Sequence, residues 1–446
     1  MSRAIVIGGH ADSLAAARVL AKRHEVVVFA GNQGPGIAEG WVPRALRLDG
    51  LLLFSPEPWV AAPLPAGGRL ELSSDLSRSV ESIRRISPRD AVRWPEFCER
   101  MARLARFFET IYAAPPPDPL SFKFALRARA LGKQGLEDLL RILPMPVAEL
   151  LDDWFENDTL KGVLAGAGIA HLQQGPRSGG TAFRLLHNHV GSLPGVFRPP
   201  RSNLVELLRK GLEIHAGDVA RISVQGGRVT GVVLKGGEEI EASLVVSGAD
   251  PRRSLLELVE PGWLDPELAR ALAHVRRRGV VARVTLQLDR APGFARMALA
   301  PSLDELERAY DDSKDGRVSQ RPYLEAHCDA DQRVEVHVQY VPYGADCSGL
   351  GDTVVALLSE HWGDAAADEV RVLSPRDLEE REGWPQGQAH HAELALDQAL
   401  WMRPLPELAR YRTPIEGLWL CGPGMHPGAG TAGAAGLNCA REILRG

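Results

Sequence analysis

Two hydrophobic periods alternate along this chain. Near its start a short apolar run, "AIVIGG", is followed by the helical period of "DSLAAARVLAKR" and a second apolar run, "HEVVVFA". Strands that are apolar on both faces belong to parallel sheets covered by helices, so this segment predicts a β-α-β unit. From about Ser74 to Gly195 the period is helical, as in "SPRDAVRWPEFCERMARLARFFETIY" and "GLEDLLRILPMPVAELLDDWF", with "AAPPPDPL" as a stiff break between them. The stretch "LEIHAGDVARISVQGGRVTGVVLKGGEEIEASLVVSGADP" then alternates with period two and is punctuated twice by Gly-Gly, the mark of antiparallel hairpins. Its last strand, "SLVVSGAD", is apolar on both faces and returns to a parallel sheet. After Pro251 a helix and strands such as "VVARVTLQLD" and "VEVHVQYVPY" predict a second sheet, and "GLWLCGPGMHPGAGTAGAAGLNCAREILRG" reads as buried strand, glycine-rich loop and helix.

Strands of one nucleotide-binding sheet therefore fall at both ends and in the middle of the sequence. The expected fold is α/β, a Rossmann-like nucleotide-binding domain that is discontinuous in sequence, with a mixed α+β substrate domain. The first nucleotide-binding part spans residues 1–72, and a mainly helical substrate-domain insert spans 73–196. Residues 197–258 form the second part with its β-meander, 259–404 the sheet and helices of the substrate domain, and 405–446 the C-terminal strand, loop and helix.

Composition narrows the class. With 446 residues, a net charge of −5 and no Lys/Arg cluster interleaved with aromatics, the chain offers no nucleic-acid surface. Its five cysteines (Cys98, Cys328, Cys347, Cys421, Cys439) form no C-x-x-C pair, which fits reduced thiols and a cytoplasmic location. Met1 leads straight into the first strand without a signal-peptide pattern, and nowhere is there an uninterrupted apolar run of the ~18 to 20 residues that a membrane span needs.

The candidate chemistry lies in two glycine-containing turns. In a G-x-G-x-x-G turn the glycines make the bend, admit the pyrophosphate and let helix pack on strand. Those places here read Gly8, His10 and Ser13, with Gly9 between the first two. A helix N-terminus in that position still aims free N–H groups at whatever lies there. His10 can donate to a phosphate or fill the phosphate's place. The acid expected after the second strand is replaced by Ala30, Gly31 and Asn32, of which Asn32 is the candidate ribose ligand.

At the other end Gly422, Gly424, Gly428, Gly430, Gly433 and Gly436 crowd around His426, Pro427 and Thr431. Such density means close backbone approach or positive φ. The adjacent His390 and His391 are expected on opposite faces of a strand with no third ligand at suitable spacing, so no metal site is expected. His187 and His189 read as structural. No G-x-S-x-G elbow is present. The basic stretch "KFALRARALGKQ" (Lys123, Arg127, Arg129, Lys133) carries apolar residues at helical spacing, as a solvated helix face or a peripheral membrane contact does.

The C-terminal stretch "GLWLCGPGMHPGAGTAGAAGLNCAREIL" resembles the signature of the phytoene desaturase and carotenoid isomerase group of FAD-dependent oxidoreductases, and especially its branch of pyridine nucleotide-disulfide oxidoreductase domain-containing proteins. The likeness runs through "SPRDAVRWPEFCERMARL", "AAPPPDPLS", "LPMPVAELLDDWFENDTLKGVLA", "GPRSGGTAF", "VVSGADPRR", "APSLDELERAYDDSKDGR" and "HHAELALDQALWMRPLPELARYRTPIEGLWLCG". The resemblance implies that Gly8 and Gly9 begin an FAD pyrophosphate turn and that Val219 meets the adenine through its backbone. It also implies that Gly422 and the run containing His426, Pro427, Gly428, Gly430, Thr431 and Gly433 lie along the pyrophosphate and ribityl chain. His390 and His391 fall near the family's substrate cavity. The flavin would accept hydride from a lipophilic small molecule, so no acid/base pair is assigned, and a homodimer or a complex with a related enzyme is the expected assembly.

The sequence departs from that pattern where FAD contacts are densest. Relatives have three glycines in the first turn and a Glu after the second strand, followed by a flavin-side segment. Here "FAGNQGPGIAEG" leads at once to "WVPRALRLDGLLLF", and "VFRPPRSNLVELLRK" replaces a Gly-Gly-Met-Gly turn. Losing a ribose carboxylate and several backbone donors at ~1 to 3 kcal/mol each would weaken binding by several orders of magnitude. Two readings follow: an FAD-dependent oxidoreductase of the desaturase, dehydrogenase or isomerase type, and a cofactor-free degenerate member, a pseudoenzyme, that serves as a binding or scaffold component of a biosynthetic complex.

Overall fold

The computed structural model describes residues 2–31, 38–116, 129–363 and 365–445. Its first three elements are β1 (Arg3–Ile7), α1 (Ala11–Leu20) and β2 (Glu25–Phe29). β1 buries Ala4, Ile5 and Val6 completely, and α1 turns Leu14 and three consecutive alanines, Ala15 to Ala17, inward. Small side chains on that face let the helix lie close to the sheet. β3 (Glu213–His215), β4 (Leu244–Ser247) and β5 (Leu418–Leu420) complete a five-stranded parallel sheet in the order β5-β4-β1-β2-β3. Ile5 stands beside Val27 on one side and Val245 on the other, and Val245 pairs with Leu418. The Rossmann-like fold expected from the apolar runs is present, with its strands drawn from three distant parts of the chain.

The period-two stretch forms an antiparallel meander of Val219–Gln225, Arg228–Leu234 and Glu239–Glu241. Its first hairpin turns through Gly226 and Gly227, whose φ values of 59° and 77° suit a two-residue loop. A second sheet of seven strands runs in the order Ala367–Leu373, Val281–Leu288, Arg333–Gln339, Leu324–Cys328, Arg296–Leu299, Val60–Pro63 and Arg69–Leu72. The last two strands correct the expected boundary at residue 72. The hairpin 60–72 leaves the parallel sheet and extends the seven-stranded one, because Ala61 pairs in parallel with Met297.

The helical insert packs its own core. The long helix Pro88–Tyr112 is capped by Ser87, whose hydroxyl accepts the Asp90 N–H, and it buries Trp94, Phe97, Phe108 and Tyr112. Against it lies α2 (Thr181–His189), every residue of which is buried. The last helix, α3 (Ala434–Ile443), crosses α1 so closely that a Cβ on Gly436 would overlap the Asp12 carbonyl oxygen. Among the described residues no helix is long and apolar enough to cross a membrane. Asn32, Lys123 and Arg127 lie outside the described residues, while Arg129 and Lys133 are exposed.

Replacing Gly436 by Ala should force α1 and α3 apart and lower stability by on the order of 3 kcal/mol. The check is the urea midpoint, and an unchanged value would show that this crossing opens freely.

Candidate functional site at the dinucleotide turn

The N-terminus of α1 is closed by its own first turn. His10 is the N-cap in extended conformation, and its Nδ1 accepts the Ser13 N–H at 3.5 Å while Nε2 donates to the Gly248 carbonyl at 2.8 Å. The two bonds are consistent with one neutral tautomer, and burial holds the imidazole pKa below its ordinary value. Ser13 donates to the Ile7 carbonyl at 3.2 Å and lies 3.2 Å from His10 Nε2. Together these side chains fill the concavity beyond β1 and β4. A Cβ on Gly8 would stand 2.7 Å from Ser13 Oγ, and one on Gly248 would overlap it. His10 thus fills the turn that a G-x-G-x-x-G pattern leaves open.

The C-terminal loop is packed as tightly. Gly422 abuts the Gly248 carbonyl, Gly428 (φ 105°) lies against Leu394 and Arg403, and Gly430 (φ 88°) lies against the His187 ring. Thr431 Oγ1 ties the bend by donating to the Gly428 carbonyl at 2.6 Å. The other flank of Gly430 is covered by Gly40 and Trp41: the Trp41 N–H donates to the Gly430 carbonyl at 2.9 Å, and a Cβ on Gly40 would stand 2.6 Å from the Gly430 carbonyl carbon. Gly433 (φ 78°) caps α3, whose first free donors meet the Asp12 carboxyl. The Ala435 N–H donates to Asp12 Oδ1 at 3.1 Å, with the N–H groups of Gly433 and Gly436 also directed at it. His426 is fully buried, with the carbonyls of Ile111, Ala114 and Leu400 near its ring but none in hydrogen-bond geometry. Tyr411 holds the same residue by donating to its carbonyl at 3.0 Å.

The expected site residues divide by location. Gly8, Gly9 and His10 form the first turn, and Gly422, His426, Pro427, Gly428, Gly430, Thr431 and Gly433 form the second. Val219 starts the meander and pairs with Leu234, and beside it Gly31 leans on the Asp218 carboxylate, which is held by Lys235 at 2.9 Å. His390 and His391 lie in a turn rather than a strand, with His391 at φ 61°, but they do point to different places. His391 packs edge-on against His10 with ring centroids 6.0 Å apart, and His390 faces His171 at 4.8 Å. Among the described residues no group of three or more His, Cys, Asp or Glu is placed to hold a metal. His187 is locked, with Tyr112 bonded to its Nδ1 at 2.8 Å and its Nε2 bonded to the Ala429 carbonyl at 2.7 Å.

Sequence reasoning missed Asp12, Trp41 and Arg403. Arg403 is wholly buried, and its guanidinium donates to the carbonyls of His390, Ala392, Glu393, Gln398 and Pro423. It fastens the 390–398 segment to the C-terminal loop. The signal in the sequence was only an arginine inside "LWMRPLP".

An FAD pyrophosphate needs free N–H donors at a helix N-terminus and backbone that stands back from it. Here α1 is capped by His10, α3 is capped by Asp12, and Gly40 closes on Gly430. The residues present do not fit a dinucleotide in this seat.

The parallel sheet, its meander and the seven-stranded mixed sheet nevertheless define the class of protein: the fold of FAD-dependent oxidoreductases. An oxidoreductase from Methanosarcina mazei superposes with a TM-score of 0.57 at 14% identity, covering 100% of both chains. A putrescine oxidase redesigned for cofactor binding gives 0.60 at 15% identity, covering 100% of this chain and 98% of that one. The pyridine nucleotide-disulfide oxidoreductase domain-containing protein 2 of Rattus norvegicus is 28% identical, covering 90% of this chain and 81% of its own. A limonene dehydrogenase subunit of Castellaniella defragrans is 24% identical, covering 92% and 84%, and a hydroxyneurosporene desaturase of Cereibacter sphaeroides 26%, covering 89% and 83%. The family model of flavin containing amine oxidoreductases matches residues 54–444, and the chain belongs to that family. The match begins downstream of β2, so the turn at Gly8 lies outside it.

Burial raises the Asp12 carboxyl pKa from 3.8 to about 7 against the pull of the α3 N–H groups. A carboxyl raised on folding favours the native state while it is protonated, so its contribution is full below about pH 4 and is lost as pH rises through about 7. Asp12→Asn keeps an oxygen acceptor for Ala435 without the titration. The stability of the wild type relative to Asp12→Asn should therefore fall by a few kcal/mol between pH 4 and pH 7. Urea midpoints of both proteins across that range test it, and parallel profiles would show that the carboxyl is not perturbed.

Proposed function

We propose that this chain is a member of the flavin oxidoreductase family that works without flavin in the dinucleotide seat, as a cytoplasmic binding or scaffold component of a larger assembly. The observation that carries this reading is the closure of both helix N-termini by the chain's own side chains, His10 with Ser13 at α1 and Asp12 at α3. A bound pyrophosphate would have to displace both sets, exchanging internal hydrogen bonds for its own and gaining little net free energy. The relative named as one subunit of a dehydrogenase supports an assembly of more than one chain.

The second reading is an FAD-dependent oxidoreductase acting on a lipophilic or unsaturated small molecule. One observation favours it: Gly428, Gly430 and Gly433 all hold positive φ immediately ahead of α3, a bend of the kind that a close ligand requires.

An absorption spectrum of the protein purified without added cofactor, followed by FAD titration, separates the two. The expected result is a colourless protein without the flavin bands near ~370 and ~450 nm. The double variant His10→Gly/Ser13→Gly should stay colourless too, because Asp12 and Gly40 still close the other side. Flavin bands in the wild type that survive gel filtration would overturn the proposal in favour of the oxidoreductase.

A further inference from the structure

α2 carries an arginine into the apolar interior. Arg184 sits between Phe183 and the pair Leu185, Leu186 in a helix with no exposed face, and only 3% of its own surface is exposed. Among the described residues it makes no hydrogen bond and no ion pair, and its Nε and Nη1 are both buried without a partner. Other buried arginines are provided for. Arg198 grips Glu325 through Nε at 3.0 Å and Nη2 at 2.6 Å, Arg277 holds Asp250 at 2.6 Å, and Arg403 has its ring of carbonyls.

The surroundings of Arg184 supply no anion. The charges that act on it are the guanidinium groups of Arg198 and Arg403, the nearby Tyr112 hydroxyl is kept neutral by burial, and it acts in turn on His171, His187 and His390, which burial also keeps neutral. His187 is engaged on both nitrogens, but His390 Nδ1 is buried and free of partners. His171, whose ring lies 4.8 Å from that of His390, holds a left-handed φ of 59°, as His391 holds 61°. Strained non-glycine residues of this kind persist where the surrounding structure fixes them, and they gather at ligand sites. A buried guanidinium without a counter-charge is costly, and the cost is recovered when an anion reaches it.

We propose that Arg184 is the recognition point of an internal site for a monocarboxylate with an apolar body. The planar guanidinium matches a two-oxygen carboxylate, and the single unpartnered cation matches a single negative charge, whereas a phosphate dianion would bring a second charge with no free cation to meet it. α2 is embedded in the apolar core of the helical insert, so the body of a ligand that reaches Arg184 meets hydrocarbon. α2 also walls the C-terminal glycine turn through His187, so the site adjoins the dinucleotide seat, but it rests on the unpartnered guanidinium and not on whether flavin is held there.

Thermal denaturation of the wild type and Arg184→Met, in carboxylate-free buffer and with acetate, benzoate or octanoate, tests the site against matched sodium chloride. Benzoate or octanoate should raise the wild-type Tm by several degrees while sodium chloride does not, and Arg184→Met should fail to respond. Without added acid the variant should be at least as stable as the wild type, because an unpaired buried cation has been removed. Arg184→Gln, which keeps a polar group, should likewise lose the response if the methionine variant does not fold. No shift of the wild type by any of the three acids, an equal shift in the variants, or a wild type markedly more stable than both variants in acid-free buffer would overturn the proposal. The flavin spectrum is read separately, so either proposal can fail alone.

Discussion

The free N–H groups at the start of α1 have to be satisfied, and much of the parallel-sheet half depends on how that is done. A residue with a bare backbone would leave them open to a ligand. His10 instead spans from the Ser13 amide to the Gly248 carbonyl, so one imidazole joins the helix to the end of β4. With the ring in that position Gly8 and Gly248 must lack a Cβ, Ser13 turns onto the Ile7 carbonyl, and His391 packs edge-on against the ring. The same economy recurs at α3, where Asp12, two residues along, supplies the acceptor for Ala435. Each helix end is closed by a side chain from the α1 turn.

Arg403 does for the second turn what His10 does for the first. Its five carbonyl partners lie on two segments that share no sheet, and a delocalised cation can satisfy several acceptors without a carboxylate. The result is a glycine-rich loop whose shape is set by internal bonds. Two guanidinium groups in one interior thus meet opposite fates: that of Arg403 is saturated by backbone, and that of Arg184 is left with nothing.

The sequence exposed the architecture wherever periodicity is a local property. Runs such as "AIVIGG", "SLVVSG" and "GLWLCG" are apolar on both faces, and each became a strand of the parallel sheet. The glycine cluster likewise became a bend with positive φ. What stayed hidden was decided by partners far away. The hairpin 60–72 carries no mark of the sheet it joins, since its neighbour Met297 is more than two hundred positions distant. His390 and His391 read as a strand because no pattern of polarity reports a φ of 61°. That His10 fills a seat rather than furnishing it depends on one rotamer. Arg184 stayed hidden too, because an arginine in "AFRLLHNH" reads as an ordinary helix residue until the structure shows a helix buried on every side.

The strand order carries a consequence for biosynthesis. β1 is the middle strand of its sheet, yet it waits for β4 on one side, and the edge strand β5 and helix α3 that cover this half arrive only at residues 418–443. Until then the apolar faces of β1 and α1 stand exposed on the emerging polypeptide, without the contact at Gly436 that seals them. In a chain built this way the cover of β1 and α1 is complete only once residues 418–443 have emerged, so this half of the fold closes late in synthesis.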